Sequence, residues 1–181
     1  MIKKIFNLYR TPLFLSLTIA IALIATNLIK SPLDICYILV GSLAGTFLLD
    51  IDYLIYAYIT EPTSDLSKHL RAFISHKDIG NALNHIYYNK NEVKEQSLNS
   101  ALFQIALATL AIFTTSSLSG VFIKSLILAT YANSIYRLSE HYFKGTLDDW
   151  FWVLKETPKK QSVGFYTFGL LAILIYSILL F

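Results

Sequence analysis

The stretch Leu33–Tyr53 reads LDICYILVGSLAGTFLLDIDY, and its reading decides the fold. No charge falls between Asp34 and Asp50, and the residues between them are apolar or small on every face of a helix. A helix on the surface of a water-soluble domain keeps a polar face; one that is apolar all round is buried in a large core or in lipid. Asp50 stands seventeen residues after Leu33, about 26 Å along a helix axis. A bilayer's hydrocarbon core is about 30 Å thick. The stretch therefore predicts a membrane span that opens near Leu33 and brings two carboxylates, Asp50 and Asp52, to the far edge of the hydrocarbon.

Working outward, the same pattern recurs. Apolar segments over residues 13–29, 33–58, 98–115, 121–138 and 163–181 predict about five transmembrane helices within one membrane domain, residues 1–181. Pro12 suits a first helical turn, Lys30-Ser31-Pro32 makes a tight connection, and Glu61-Pro62 stops the second helix. Tyr53, Tyr56 and Tyr58 form the aromatic ladder expected at a membrane interface. Between the second and third spans, residues 63–97 form a polar insert. Ser64 is placed to cap an amphipathic helix carrying Leu66, Leu70, Phe73 and Ile74 on one side. A second short helix is expected over Ile79–Tyr88. A further polar segment, residues 139–162, holds Trp150, Phe151 and Trp152 at headgroup level. The N-terminal segment reads as an uncleaved signal anchor, because no small-x-small site follows its apolar run.

Composition agrees with this fold class, an all-α integral membrane protein with a cytoplasmic helical insert. Charged residues make up 15% of the chain, against about 25% in soluble domains, and they cluster between the apolar runs. Lys and Arg set the orientation. Lys3, Lys4 and Arg10, the insert with Lys68, Arg71, Lys77, Lys90 and Lys94, and the segment with Lys144, Lys155, Lys159 and Lys160 all fall on one side of a five-span chain. That side is expected to be cytoplasmic, with the C-terminus outside. The net charge of +3 is accounted for by topology and implies no nucleic acid. The single cysteine, Cys36, excludes a disulfide framework.

Polar residues inside spans cost about 2.5–3.5 kcal/mol each near mid-bilayer when charged, so their depth is informative. Asp50, Asp52, Asn99, Gln104, Asn133 and Arg137 come from three predicted helices yet fall near one level, and His141 follows close by. Asn133, Arg137 and His141 share a helix face at intervals of four. Asp50 and Asp52, two residues apart, do not; either one faces headgroup water or the helix loosens there. The plain structural account is an Asp–Arg pair that neutralises itself and fixes helix register. Gly41 and Gly45 form a G-x-x-x-G that fits close helix packing. His69, His76 and His85 lie in the insert without a ligand pattern, and Asp148 and Asp149 read as acids at a helix start.

Leu49-Asp50-Ile51-Asp52-Tyr53 resembles the Asp-x-Asp-His segment of the predicted membrane-bound metal-dependent hydrolase family of the damage-inducible inner-membrane type. The stretches Leu98–Gln104 and Ala132–Arg137 match the order and spacing of that family's later motifs. The resemblance implies a metal held at the cytoplasmic face of a bacterial inner membrane. Here Tyr53, Asn99 and Asn133 stand at the family's His positions and Arg137 at its final Asp. Asn is a poor ligand beside imidazole, so the resemblance implies a scaffold that has lost its metal, with Arg137 standing where the metal's charge would be.

Three function classes follow. The first is a non-catalytic membrane protein, without a cofactor, that uses its insert to meet anionic lipid or a protein partner. The second is a membrane-embedded hydrolase of a lipid or phosphoester, with a divalent metal at Asp50 and Asp52 or one of them as general base, and His141 as a substitute ligand. The third, a transporter or channel subunit, lacks a charged path through the outer leaflet.

Overall fold

The computed structural model describes residues 9–89, 93, 96–154 and 156–181. Lys3, Lys4, Lys90, Lys94 and Lys155, used above for orientation, lie outside them. Every regular element among the described residues is helical. The long helices are α1 (Arg10–Thr26) and α2 (Pro32–Leu48), continued by α3 (Ile51–Ile55) and a π-helical turn, Tyr56–Thr60. The insert forms α4 (Asp65–Ser75) and α5 (Ile79–Asn89). There follow α6 (Ala101–Ser116), α7 (Val121–Lys144), the single turn α8 (Leu147–Trp150) and α9 (Lys160–Leu180).

The centre of the bundle is α7, which packs against α1, α2, α6 and α9. Leu128 to Ile135 are buried without interruption. A helix enclosed by protein on all sides needs no lipid-like face, which is why α7 can carry Thr130, Asn133 and Ser134 in its middle. The peripheral helices reverse this pattern. Phe14 and Ile21 on α1, Leu102 and Phe113 on α6, and Phe165 and Phe168 on α9 all point outward and exposed.

By length and composition, α9, with 21 residues, can cross a bilayer, and α2 with its continuation makes a second such span if the bent pair is counted as one. Helices α1 and α6 are apolar but shorter, at 17 and 16 residues. Helix α7 has 24 residues but is too polar to qualify. Length and composition thus support one span or two rather than the five expected.

The tightest packing lies between α2 and α7, and two glycines set it. A Cβ on Gly41 would stand 2.6 Å from the Phe122 carbonyl oxygen, and one on Gly45 would stand 2.7 Å from that of Leu126. Across the same contact Thr130 Oγ1 donates to the Gly45 carbonyl at 3.3 Å.

The helix loosens at the two carboxylates. After Leu48 the chain breaks, and α3 with its π-turn leaves at 44° to α2. Residues two apart on an unbroken helix diverge by about 200°. The break instead turns both side chains inward, and Asp50 and Asp52 are both buried. The tyrosine ladder follows this change of direction. Tyr53 and Ala57 form a second small core with Leu66 and Leu70 of α4 and Ala82 and Ile86 of α5. Ser64 caps α4 by accepting from Ser67 N at 3.2 Å. The insert therefore docks on the continuation of α2. At the far end of α7, Gly145 takes the left-handed conformation, φ +76°, that closes the helix.

Gly45→Val should be strongly disfavoured, because its branched side chain would meet backbone rather than a movable side chain. A loss of about 1–3 kcal/mol is expected, read as a lowered Tm in detergent. Gly164→Ala, where the added carbon meets nothing within 4 Å, should leave Tm unchanged.

Candidate functional site

The break after α2, the start of α6 and the last third of α7 converge on one polar chain. Arg137 Nη2 donates to Asp50 Oδ1 at 2.6 Å, and its Nη1 donates to Asn99 Oδ1 at 2.7 Å. Asn99 Nδ2 donates in turn to Asp52 Oδ2 at 3.1 Å and to the Leu49 carbonyl at 3.1 Å. The order is Asp50, Arg137, Asn99, Asp52. The side chains of Arg137 and Asp50 are only 16% and 9% exposed, so this is an ion pair largely withdrawn from water.

Asp52 has a different task. Its carboxylate accepts from the backbone N–H groups of Ser97 (3.1 Å), Leu98 (2.8 Å) and Asn99 (3.0 Å). Helix starts present unpaired N–H groups and favour negative charge. Asp52 serves the extended residues that lead into α6, while Ser100 caps the helix itself by accepting from Phe103 N at 3.3 Å. Four donors occupy Asp52, and it is a structural anion.

Two of the residues expected in this cluster lie elsewhere. Asn133 sits one turn deeper, where its Nδ2 donates to Ser16 Oγ of α1 at 2.8 Å; Thr46 Oγ1 of α2 donates to the same oxygen at 2.8 Å. This is a second, uncharged junction of three helices. Gln104 is fully buried, and neither atom of its amide has a hydrogen-bond partner among the described residues. For Asn133 the reason is depth, since it shares a face with Arg137 but lies four residues, about 6 Å, further into the bundle; for Gln104 it is also helical phase, since five residues separate it from Asn99. His141 lies near the cluster without joining it. Its Nδ1 meets the Thr146 carbonyl at 3.0 Å, and its ring packs on Trp150 at 5.3 Å. The Thr146 hydroxyl lies at 2.9 Å from the same nitrogen.

Above the Asp50–Arg137 pair opens a cavity of about 520 Å³. Its walls include Tyr9, Tyr53 and Tyr136, and its rim includes Glu140, Lys144 and Asp149 from the end of α7 and from α8. Tyr9 packs on Phe47 with ring centroids 5.2 Å apart. Burial and, after it, the Asp50 charge push the Tyr9 hydroxyl pKa far up, so Tyr9 stays neutral. Sequence reasoning did not select Tyr9 or Tyr136: a tyrosine near a helix end reads as an interface anchor until the fold places it over a carboxylate.

A metal of the kind the resemblance implies does not fit these donors. Asp52 is occupied by backbone amides, one oxygen of Asp50 is held by a guanidinium, and that same guanidinium would repel a divalent cation. Among the described residues no group of three or more His, Cys, Asp or Glu could hold a metal ion. In comparisons with known proteins, no family model, curated protein or solved structure matches this chain.

Arg137→Met should destabilise the protein by about 3 kcal/mol or more, because it leaves Asp50 buried without a counter-charge. Asp50→Asn in the same chain should recover part of that loss. Thermal melts of both single variants and the double variant in detergent measure the coupling; strictly additive losses would mean that the two charges do not depend on each other.

Proposed function

We propose that this chain is a polytopic membrane protein and a non-catalytic relative of the membrane-bound metal-dependent hydrolases, in which an Asp–Arg–Asn network has replaced a metal centre. One observation carries the reading: the Arg137 guanidinium lies between Asp50 and Asn99, at hydrogen-bonding distance from both. Two of the residue positions that the resemblance assigns to metal ligands are thus occupied by a fixed internal cation and its amide partner. Arg suits the role because its planar fork can serve two acceptors at once and it stays charged.

In this reading α1, the bent α2 unit, α6, α7 and α9 cross the bilayer, and the Asp50–Arg137 end faces the cytoplasm. The outward Phe and Ile side chains of α1, α6 and α9 support it, since soluble monomers seldom expose so much contiguous apolar surface. So does the distribution of Lys and Arg. Helices shorter than about 20 residues suit a locally thinned bilayer or one crossed with flanking polar residues reaching the interface. The insert turns its apolar side into Tyr53 and Ala57 and keeps Lys68 and Lys77 exposed. Those lysines supply the charge that anionic headgroups, or an acidic protein partner, would attract.

The hydrolase alternative has less support. It needs Asp50 or Asp52 as a ligand or base and His141 as a substitute ligand, and each is engaged: Asp50 with Arg137, Asp52 with the lead-in of α6, and His141 with Thr146 and Trp150.

Protein purified in detergent should carry no stoichiometric divalent metal, and added zinc or manganese should not raise its Tm. One tightly held metal per chain would sink the non-catalytic reading. Topology is tested separately in a Cys36→Ser background: cysteines introduced at Lys77 and at Ser119 should react with an impermeant thiol reagent from opposite sides of the membrane. Labelling of both from the same side would refute the crossing pattern.

A further inference from the structure

The end of the bundle away from the Asp50–Arg137 pair closes on two turns, residues 27–31 between α1 and α2 and residues 117–120 between α6 and α7. In water such turns show polar side chains, and water takes up the last carbonyls of each helix. Both turns depart from that. Leu28 is 77% exposed, and Leu118, at the tip of its turn, is fully exposed. Leu28 also takes the left-handed conformation, φ +49°, just past a helix end, where glycine is usual. Its side chain meets too little of the protein to repay that strain from within.

The carbonyls, meanwhile, are taken up by the protein itself. Three of the last four of α6 accept from side chains: Phe113 from Ser116 Oγ at 3.1 Å, Thr114 from Ser117 Oγ at 3.0 Å and Thr115 from Lys124 Nζ at 3.3 Å. Lys124 turns inward rather than to water, donating also to the Phe181 carbonyl at 3.4 Å and lying over the Phe181 ring. Asn27 Nδ2 closes α1 in the same way, on the Leu23 carbonyl at 3.1 Å. Internal satisfaction of helix ends is what surroundings poor in water demand. Length agrees. The 17 residues of α2 and the 16 of α6 rise about 24–26 Å, short of a hydrocarbon core of about 30 Å. With the Asp50–Arg137 pair at one edge of that core, the turns end at or just below the other.

We infer that the two turns are lipid-binding surfaces: Leu28 and Leu118 enter the acyl chains of the distal leaflet, just beneath its headgroups, and anchor that end of the bundle. The inference rests on the reading above, in which these helices cross the bilayer. Lys30, the one charge within the two turns, is exposed and reaches up to the phosphates, as lysines beside apolar anchors do. Ser117 and Ser119, whose hydroxyls pair at 2.6 Å, stay at headgroup level, where a thiol reagent still reaches position 119.

The test uses the full chain in a Cys36→Ser background, with Leu28→Cys, Leu118→Cys and Lys77→Cys each carrying a nitroxide. All three positions are exposed, so the substitutions leave the core untouched. In phosphatidylcholine vesicles oxygen concentrates among the acyl chains, while a nickel chelate stays in water. Labels at 28 and 118 should relax with oxygen and lose most of the nickel effect seen at 77. Nickel access at either position equal to that at 77 would put the turn in water and overturn the inference. Exclusion of both agents would overturn it too, because a protein surface, such as a second copy of this chain, would then cover the leucines. If either adverse result comes with labelling of positions 77 and 119 from opposite sides, the proposed crossing stands and only the anchor falls. Labelling of both from one side would remove the crossing and the anchor together.

Discussion

The structure turns on a charge that cannot be left alone. Arg137 enters the bundle from the helix at its centre, and among the described residues Asp50 and Asn99 accept its hydrogen bonds and make its burial tolerable. Desolvating a guanidinium and a carboxylate costs several kcal/mol each, recovered only when geometry and the remaining hydrogen bonds are good. Here the recovery runs through three helices, because Asn99 passes the connection on to Asp52 and so to the backbone that leads into α6. Breaking α2 after Leu48 follows from the same demand. A continuous helix could point one of the two carboxylates inward; the break lets both serve.

Beneath this charged tier the bundle is held by neutral, short-range contacts. Gly41 and Gly45 bring the backbones of α2 and α7 together, and the Ser16–Thr46–Asn133 junction adds α1. Tyr131 extends the set to α9 by donating to the Leu170 carbonyl at 3.0 Å. In a bilayer, where apolar side chains gain little by leaving lipid for protein, close backbone approach and interhelical hydrogen bonds are what make helices associate. On α7, Thr130, Tyr131, Asn133 and Arg137 reach side chains or carbonyls of neighbouring elements, and the outer helices face outward with phenylalanine and isoleucine.

Asp50 and Asp52 illustrate how one motif can hold two roles. Both are acids, two residues apart, yet Asp52 is saturated by four donors while Asp50 is paired with the Arg137 guanidinium. Their difference arises from what each meets after the break: a run of backbone N–H groups in one case, a single guanidinium in the other.

Much of the helical layout was legible in the residues themselves. Apolar runs marked the long helices, Ser64 announced the start of α4, and the glycine spacing foretold a close helix contact, because these are local or periodic properties that the chain carries wherever it goes. That Asp50, Asp52, Asn99 and Arg137 stand at one height along the bundle was legible for the same reason, since rise per residue is constant. Rotation was not. Which face of α6 and α7 points at α2 depends on where α2 breaks, and that depends on contacts with residues 97–99 far along the chain. So Asn133 and Gln104 read as members of the cluster until the tertiary structure placed Asn133 beside Ser16 and enclosed Gln104 away from the network, and nothing local singled out Tyr9 before it was folded beside Asp50. By itself the sequence determined the elements and the neighbourhood of Asp50, Asn99 and Arg137; only the packed bundle decided which side chains meet, because side-chain direction and helix offset are settled by neighbours that are distant in the chain.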